Sequence, residues 1–232
     1  MARRKEDDET KRGSAIRSRI LLVDDHPLVR EGLATLIRAT PDLAVAGEAS
    51  SAEEACQKLS EDQPDLVMID LSLPGMGGID LIKLVRERYP RVRVLVLSMH
   101  EENIYAERVL RAGAHGYIMK QAPGSKIIEA VRIVLRGEVY VSPAIAARLL
   151  QLIVDGDNGA CRRSSIEGLS NRELQVFTSI GMCMATQEIA DQLHLSVKTI
   201  QTYREHIKRK LALRNSTDLI HYAAQWFQSQ GE

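Results

Sequence analysis

From Arg19 to Arg136 the chain alternates, five times over, between a short apolar run and an amphipathic helical pattern. No other feature restricts the fold as much. The apolar runs at 20–23, 44–47, 66–69, 92–97 and 116–118 have strand length, and helices are predicted over 27–39, 51–60, 78–88, 101–112 and 124–136. Strict alternation of this kind predicts an α/β fold, a doubly wound five-stranded parallel sheet covered by helices on both faces. Right-handed crossovers and a reversal of strand order, as in the common 2-1-3-4-5 arrangement, open a crevice at the carboxyl edge of the sheet, where ligands collect.

The stretch DLVMIDLSLPGMGG, Asp65 to Gly78, indicates what that edge carries. Its apolar run ends on Asp70, and Pro74, Gly75, Gly77 and Gly78 break regular structure at once. The first strand ends in Asp24 and Asp25, the fourth in Ser98, and Lys120 follows the fifth. Crowded carboxylates disfavour one another's ionisation. A hard divalent cation relieves that conflict, and Mg2+ takes oxygen ligands from carboxylates, water and phosphate. A carboxylate can also act as a nucleophile and form an acyl phosphate, with Mg2+ and Lys120 neutralising phosphoryl charge. Taken singly, Asp24 or Asp25 reads equally as a helix cap beside Pro27, Ser98 as an N-cap, and Tyr117 as a half-buried strand residue. His26 and His100 read as exposed histidines rather than ligands.

Lysine plus arginine and aspartate plus glutamate both number 31 in the 232 residues, so no global field argues for nucleic acid or membrane. Local patches must be sought segment by segment. Cys56, Cys161 and Cys183 form no CxxC pair and read as reduced packing thiols. No run approaches the ~18 apolar residues of a membrane span, and a cytoplasmic protein with no membrane partner is expected. Residues 1–18 predict a mobile charged tail, the first domain is expected at 19–140, and 141–165 read as a linker with a short helix opened by Ser142 and Pro143.

Residues 166–232 lose the strand signal and predict a second, all-α domain of four helices, at 170–180, 186–193, 196–211 and 216–228. Ser170 with Glu173 forms a capping box, and Thr186 beside Glu188 a weaker one. Between Ser196 and Arg214 the basic residues Lys198, Arg204, Lys208, Arg209, Lys210 and Arg214 face a single acid, Glu205. A short turn at His194 and Leu195 separates this basic helix from the preceding one, which is helix-turn-helix spacing and points to double-stranded DNA.

The motifs LLVDDHP, VMIDLSLPGMGG, VLVLSMH and AGAHGYIMK closely resemble the receiver domain of bacterial two-component response regulators. The resemblance implies that Asp70 accepts a phosphoryl group from a sensor histidine kinase. It further implies that Asp24, Asp25, Asp70 and the Ser72 carbonyl hold Mg2+, and that Ser98 and Lys120 bind the phosphoryl group. Tyr117 occupies the aromatic switch position. The segments LSNRELQVF and EIADQLHLSVKTIQTYREHIKRKL resemble the DNA-binding domain of the LuxR/NarL class, which makes the whole chain similar to response regulators of the NarL/FixJ type. That similarity implies a transcription regulator whose third C-terminal helix enters the major groove. Lys198, Thr199, Gln201, Thr202 and Glu205 would lie near DNA, with Arg204, Lys208 and Lys210 as phosphate contacts and Gln201 as first base reader. It also implies a homodimer on DNA, paired through Leu219, Tyr222, Ala223 and Trp226, although simple packing of that helix on its own domain explains much of the same apolar pattern. Gln201 and Tyr203 stand where the family often has lysine and histidine, and Cys183 where glycine is frequent. A phosphohydrolase with an aspartate nucleophile usually carries an acid two residues further on, where this chain has Ser72. A ligand-sensing DNA binder would need an apolar pocket in place of the acidic rim.

Overall fold

The computed structural model describes residues 17–154 and 165–229. The predicted tail up to residue 16, the linker loop at 155–164 with Cys161, and residues 230–232 lie outside the described residues.

Five strands, β1 (Ser18–Val23), β2 (Leu43–Ala49), β3 (Leu66–Ile69), β4 (Arg93–Ser98) and β5 (Gly116–Met119), form one parallel sheet in the order β2-β1-β3-β4-β5. This is the arrangement expected from the alternation, and each strand edge falls within three residues of its predicted position. The helices between and after them are α1 (Pro27–Arg38), α2 (Ala52–Glu61), α3 (Gly78–Arg88), α4 (Glu102–Ala112) and α5 (Gly124–Leu135). Alternate strand residues point to opposite faces. Ile20, Leu22, Leu66, Met68, Leu95 and Leu97 pack with α1 and α5, whereas Leu21, Val23, Val67, Ile69, Val94 and Val96 pack with α2, α3 and α4. Burying both faces is why these strands read as nearly continuous apolar runs.

Local chemistry fixes the helix ends. Ser51 caps α2 by accepting from the Glu54 N–H, while the Glu54 carboxylate accepts from the Ser50 N–H at 2.7 Å. Gly113, at φ 109°, ends α4, and a Cβ there would strike the Arg86 stem.

Helix α6 (Pro143–Val154) is not a free linker element. Ser142 accepts from the Ile145 N–H to start it, the Ser142 N–H donates to Glu102, and Arg148 donates to the Asn103 carbonyl, so the helix lies along α4. After a 3-10 turn (Ser165–Gly168) come α7 (Asn171–Gly181), α8 (Thr186–Gln192), α9 (Val197–Lys210) and α10 (Ser216–Ser229). The Ser170/Glu173 capping box is present as expected. The cap of α8 differs: it is Ala185, whose N–H donates to Glu188 at 2.7 Å, so only half a box exists there. Cys183 has φ 61°, a left-handed conformation that glycine adopts without strain, which accounts for the turn geometry at this position.

Candidate functional site

Asp24, Asp25, Asp70, Ser98 and Lys120 meet at the carboxyl edge of the sheet, beside the crevice where β1 and β3 diverge in connection. Lys120 donates to Asp24 Oδ2 at 2.7 Å and to Asp70 Oδ2 at 2.9 Å, with its own side chain only 6% exposed. Asp24, Asp70 and Ser98 are likewise buried. Burial pushes the Asp70 carboxyl above its ordinary value against the pull of Lys120, and Asp24 adds to the rise. Burial opposes the charge on Lys120, but Asp70 and Asp24 outweigh it and raise its pKa. The backbone at Ser72, like Lys120, works against the rise at Asp70. The loop after Asp70 turns so closely that a Cβ on Gly78 would overlap the Asp70 carbonyl oxygen, which explains a glycine at that position.

The oxygen donors suit a hard cation. Ligand atoms of Asp24, Asp25, His26 and Asp70 all lie within 4.8 Å of one another. Asp25 Oδ1 is buried without a hydrogen bond: His26 Nδ1 approaches it to 2.7 Å but without hydrogen-bond geometry. An unsatisfied carboxylate oxygen inside a triad of acids is what a divalent ion would complete. His26 is largely exposed, as expected.

His100 is not exposed, contrary to the sequence reading. It is 5% accessible, and burial, reinforced by Lys120, lowers its pKa to about 4, so the ring is neutral at physiological pH. Its Nε2 meets the Ser72 hydroxyl at 2.9 Å, its N–H donates to Ser98 Oγ, and its carbonyl accepts from the Tyr117 hydroxyl at 2.6 Å. Tyr117 is fully buried and points inward, and burial raises its pKa. The His100 ring in turn packs on Tyr105, at 4.8 Å between centroids. No periodicity marks such a residue; its role depends on four chain segments meeting.

Helix α7 packs against this edge. Arg172 donates to the Leu73 and Gly75 carbonyls, and Gln175 donates to the Leu71 carbonyl, so α7 grips the loop that follows Asp70 on both sides of Ser72. Arg108 of α4 donates to the Ile166 and Leu169 carbonyls. His194, in the turn between α8 and α9, donates from Nε2 to Asp25 Oδ2 at 2.6 Å. These contacts were invisible in the sequence.

The outer face of α9 stays open. Lys198, Gln201, Thr202 and Glu205 are exposed, and with Thr186, Arg204 and Ser216 they line an open polar cleft of about 500 Å3. Thr199 contributes its N–H to the Ser196 cap. One predicted phosphate contact points elsewhere: Lys210 donates to Glu173 at 2.6 Å and to the Gly168 carbonyl, whereas Lys208 pairs with Glu205 of the open face at 2.9 Å. The helix periodicity around α9 could have separated Lys210, half a turn round from Gln201, but not Lys208, which lies seven residues from Gln201 on the same face. On α10, Leu219 and Ala223 are fully buried in their own domain, and Tyr222 and Trp226 pack on Phe177. Leu219 and Ala223 are therefore internal packing residues, which corrects their expected place in a dimer surface.

A doubly wound sheet with an acidic pocket at its switch point, followed by a basic helix-turn-helix unit, defines a phosphorelay-type receiver joined to a DNA-binding output. The sequence matches the response regulator receiver domain over residues 20–132 and the luxR family of bacterial regulatory proteins over 167–223. The chain belongs to the response regulators of the NarL/FixJ type, a family of transcription regulators rather than enzymes. It is 36% identical to the oxygen regulatory protein NreC of Staphylococcus carnosus, over 88% of this chain and 96% of that one. A two-component response regulator of the LuxR family from Aurantimonas is 39% identical over 58% of this chain and 96% of its own, with TM-score 0.55. The Salmonella typhimurium RcsB response regulator is 25% identical over 90% of this chain and 98% of its own, with TM-score 0.61. Receiver domains bind Mg2+ through acidic residues, and among the described residues no helix is long and apolar enough to cross a membrane.

Proposed function

We propose that Asp70 accepts a phosphoryl group from a partner histidine kinase, and that this modification controls DNA binding by α9. The observation that carries the reading is the pairing of Asp70 with Lys120 at 2.9 Å inside a pocket that also holds Asp24 and the Ser98 hydroxyl. An Asp70 carboxylate oxygen attacks phosphorus, the bond from phosphorus to the donor imidazole breaks, and that nitrogen keeps the electron pair. Lys120 and Ser98 hold the phosphoryl oxygens. Asp24, Asp25, Asp70 and the Ser72 carbonyl would bind Mg2+, which supplies positive charge against the transferring group. Tyr117 and His100 connect Ser98 with Tyr105 and so with α7.

On DNA, Gln201 reads an adenine edge and Lys198 and Arg204 meet phosphates in this reading; its support is that all three line the open face of α9. Solved structures of RcsB describe dimers bound to DNA, which supports pairing of two copies on neighbouring half-sites here. The exposed side of α10 available for that contact carries Ile220, His221 and Gln225.

Incubation with a small phosphodonor and Mg2+ tests the reading. Wild-type protein should be labelled in a Mg2+-dependent manner and bind promoter DNA more tightly, and Asp70→Asn should do neither. Absence of labelling in the wild type overturns the phosphoacceptor assignment while leaving DNA binding by α9 intact.

A further inference from the structure

The DNA-binding half touches the metal-binding acids directly. His194 Nε2 occupies Asp25 Oδ2 at 2.6 Å, and the other oxygen of the same carboxylate, 8% exposed as a side chain, is buried without a hydrogen bond. A divalent cation held at the free oxygen would draw the carboxylate's negative charge toward itself and weaken the hydrogen bond that the imidazole makes to the other oxygen. His194 reaches there because it sits in a turn at φ 53°, a left-handed conformation that aims it away from α8 and α9. A second set of contacts acts on the third acid. Gln175 and Arg172 fix the carbonyls of Leu71, Leu73 and Gly75, and these flank Ser72, whose own carbonyl would have to turn toward the ion.

We propose that His194 and a divalent cation compete for Asp25, so that filling the acidic pocket loosens the docking of α7 to α9 on the receiver even without phosphorylation. This rests on the assignment of Asp24, Asp25 and Asp70 to a divalent ion. Linkage is reciprocal: whatever factor docking takes from cation affinity, the cation takes from docking, and couplings of this kind typically amount to about 5–150-fold. The two states differ in a named contact, as a coupled equilibrium requires.

Calorimetric titration of the full chain with Mg2+, without phosphodonor, tests it. His194→Ala should bind Mg2+ at least about fivefold more tightly than wild type. Arg108→Ala, which removes the docking contacts to the Ile166 and Leu169 carbonyls and leaves Asp25 and the loop after Asp70 untouched, should also tighten binding. Equal affinities in wild type and His194→Ala overturn the competition while leaving the metal site standing. Tighter binding in His194→Ala with no change in Arg108→Ala reduces His194 to a local effect and overturns the link to docking. No Mg2+ binding in either protein refutes the metal assignment and the inference with it. Far-UV circular dichroism on each variant checks that both halves remain folded.

Discussion

The Tyr105 hydroxyl lies 3.4 Å from Thr178 Oγ1, joining α4 of the receiver to α7 of the DNA-binding half. Both residues are buried, and the Tyr105 ring reaches back to His100 beside Ser98. A hydrogen bond this long contributes little, below the usual ~1 kcal/mol. The ring is what matters. Tyr105→Phe should therefore cost under about 1 kcal/mol in urea unfolding, and its double-mutant cycle with Thr178→Ala should show coupling no larger. Tyr105→Ala should cost about 3–5 kcal/mol, as expected for emptying a buried aromatic site. Similar losses for Phe and Ala would show that the hydroxyl, and not the ring, holds the contact.

His100 makes stability depend on acidity. Its folded pKa, near 4, lies below the ordinary 6.5 because of burial and Lys120, so the unfolded chain binds the proton first as pH falls. Stability is intact above about pH 6.5 and declines toward pH 4. From pH 7 to pH 5 the loss from this one group is about 2 kcal/mol. The stability lost between pH 7 and pH 5, from unfolding curves at both, should be smaller by that amount in His100→Asn than in wild type; equal losses would remove His100 as the source.

Lys120 holds two buried carboxylates, Asp24 and Asp70. Lys120→Met leaves them without their counter-ion, and breaking a buried pair costs about 3–5 kcal/mol. The loss should be largest in EDTA and partly reversed by Mg2+, which supplies positive charge to the same oxygens. A variant equally destabilised with and without Mg2+ would contradict this account.

The two faces of α9 should separate in salt titrations of DNA affinity. Arg204→Ala, on the open cleft, should reduce the salt slope by about 1. Lys210→Ala should leave the slope unchanged and instead cost about 1–2 kcal/mol of folding stability, because Glu173 loses its 2.6 Å partner. The reverse pattern would place Lys210, rather than Arg204, against the phosphate backbone.

The sheet was legible because its strands are buried on both faces and so read as unbroken apolar runs between helices of the usual period. Asp24, Asp25, Asp70, Ser98 and Lys120 were legible for a related reason: strand ends are fixed points, and all five sit on them. His100 and His194 were not. The contact of His194 with Asp25 spans 169 residues, and nothing local announces it. The apolar stripe of α10 left packing and pairing undecided for want of one partner: α7 comes so close that a Cβ on Gly181 would lie 2.7 Å from the Ala223 carbonyl oxygen. Leu219 and Ala223 are consumed by that approach, and only a glycine permits it. The pairing of Lys210 with Glu173 was hidden because a charge run alone does not say which cations already have internal partners.

Helix α7 is buried along nearly its whole length, yet its two sides differ in chemistry. Toward its own domain it presents Phe177, against Tyr222 and Trp226. Toward the receiver it offers Arg172, Gln175 and Thr178, one turn apart, each reaching an oxygen. Water can replace every one of these partners when the halves separate. Parting them wets this polar seam but also bares apolar surface that runs on across the join, the Tyr105 ring included, so separation of the halves carries a hydrophobic cost beside the exchange of hydrogen bonds.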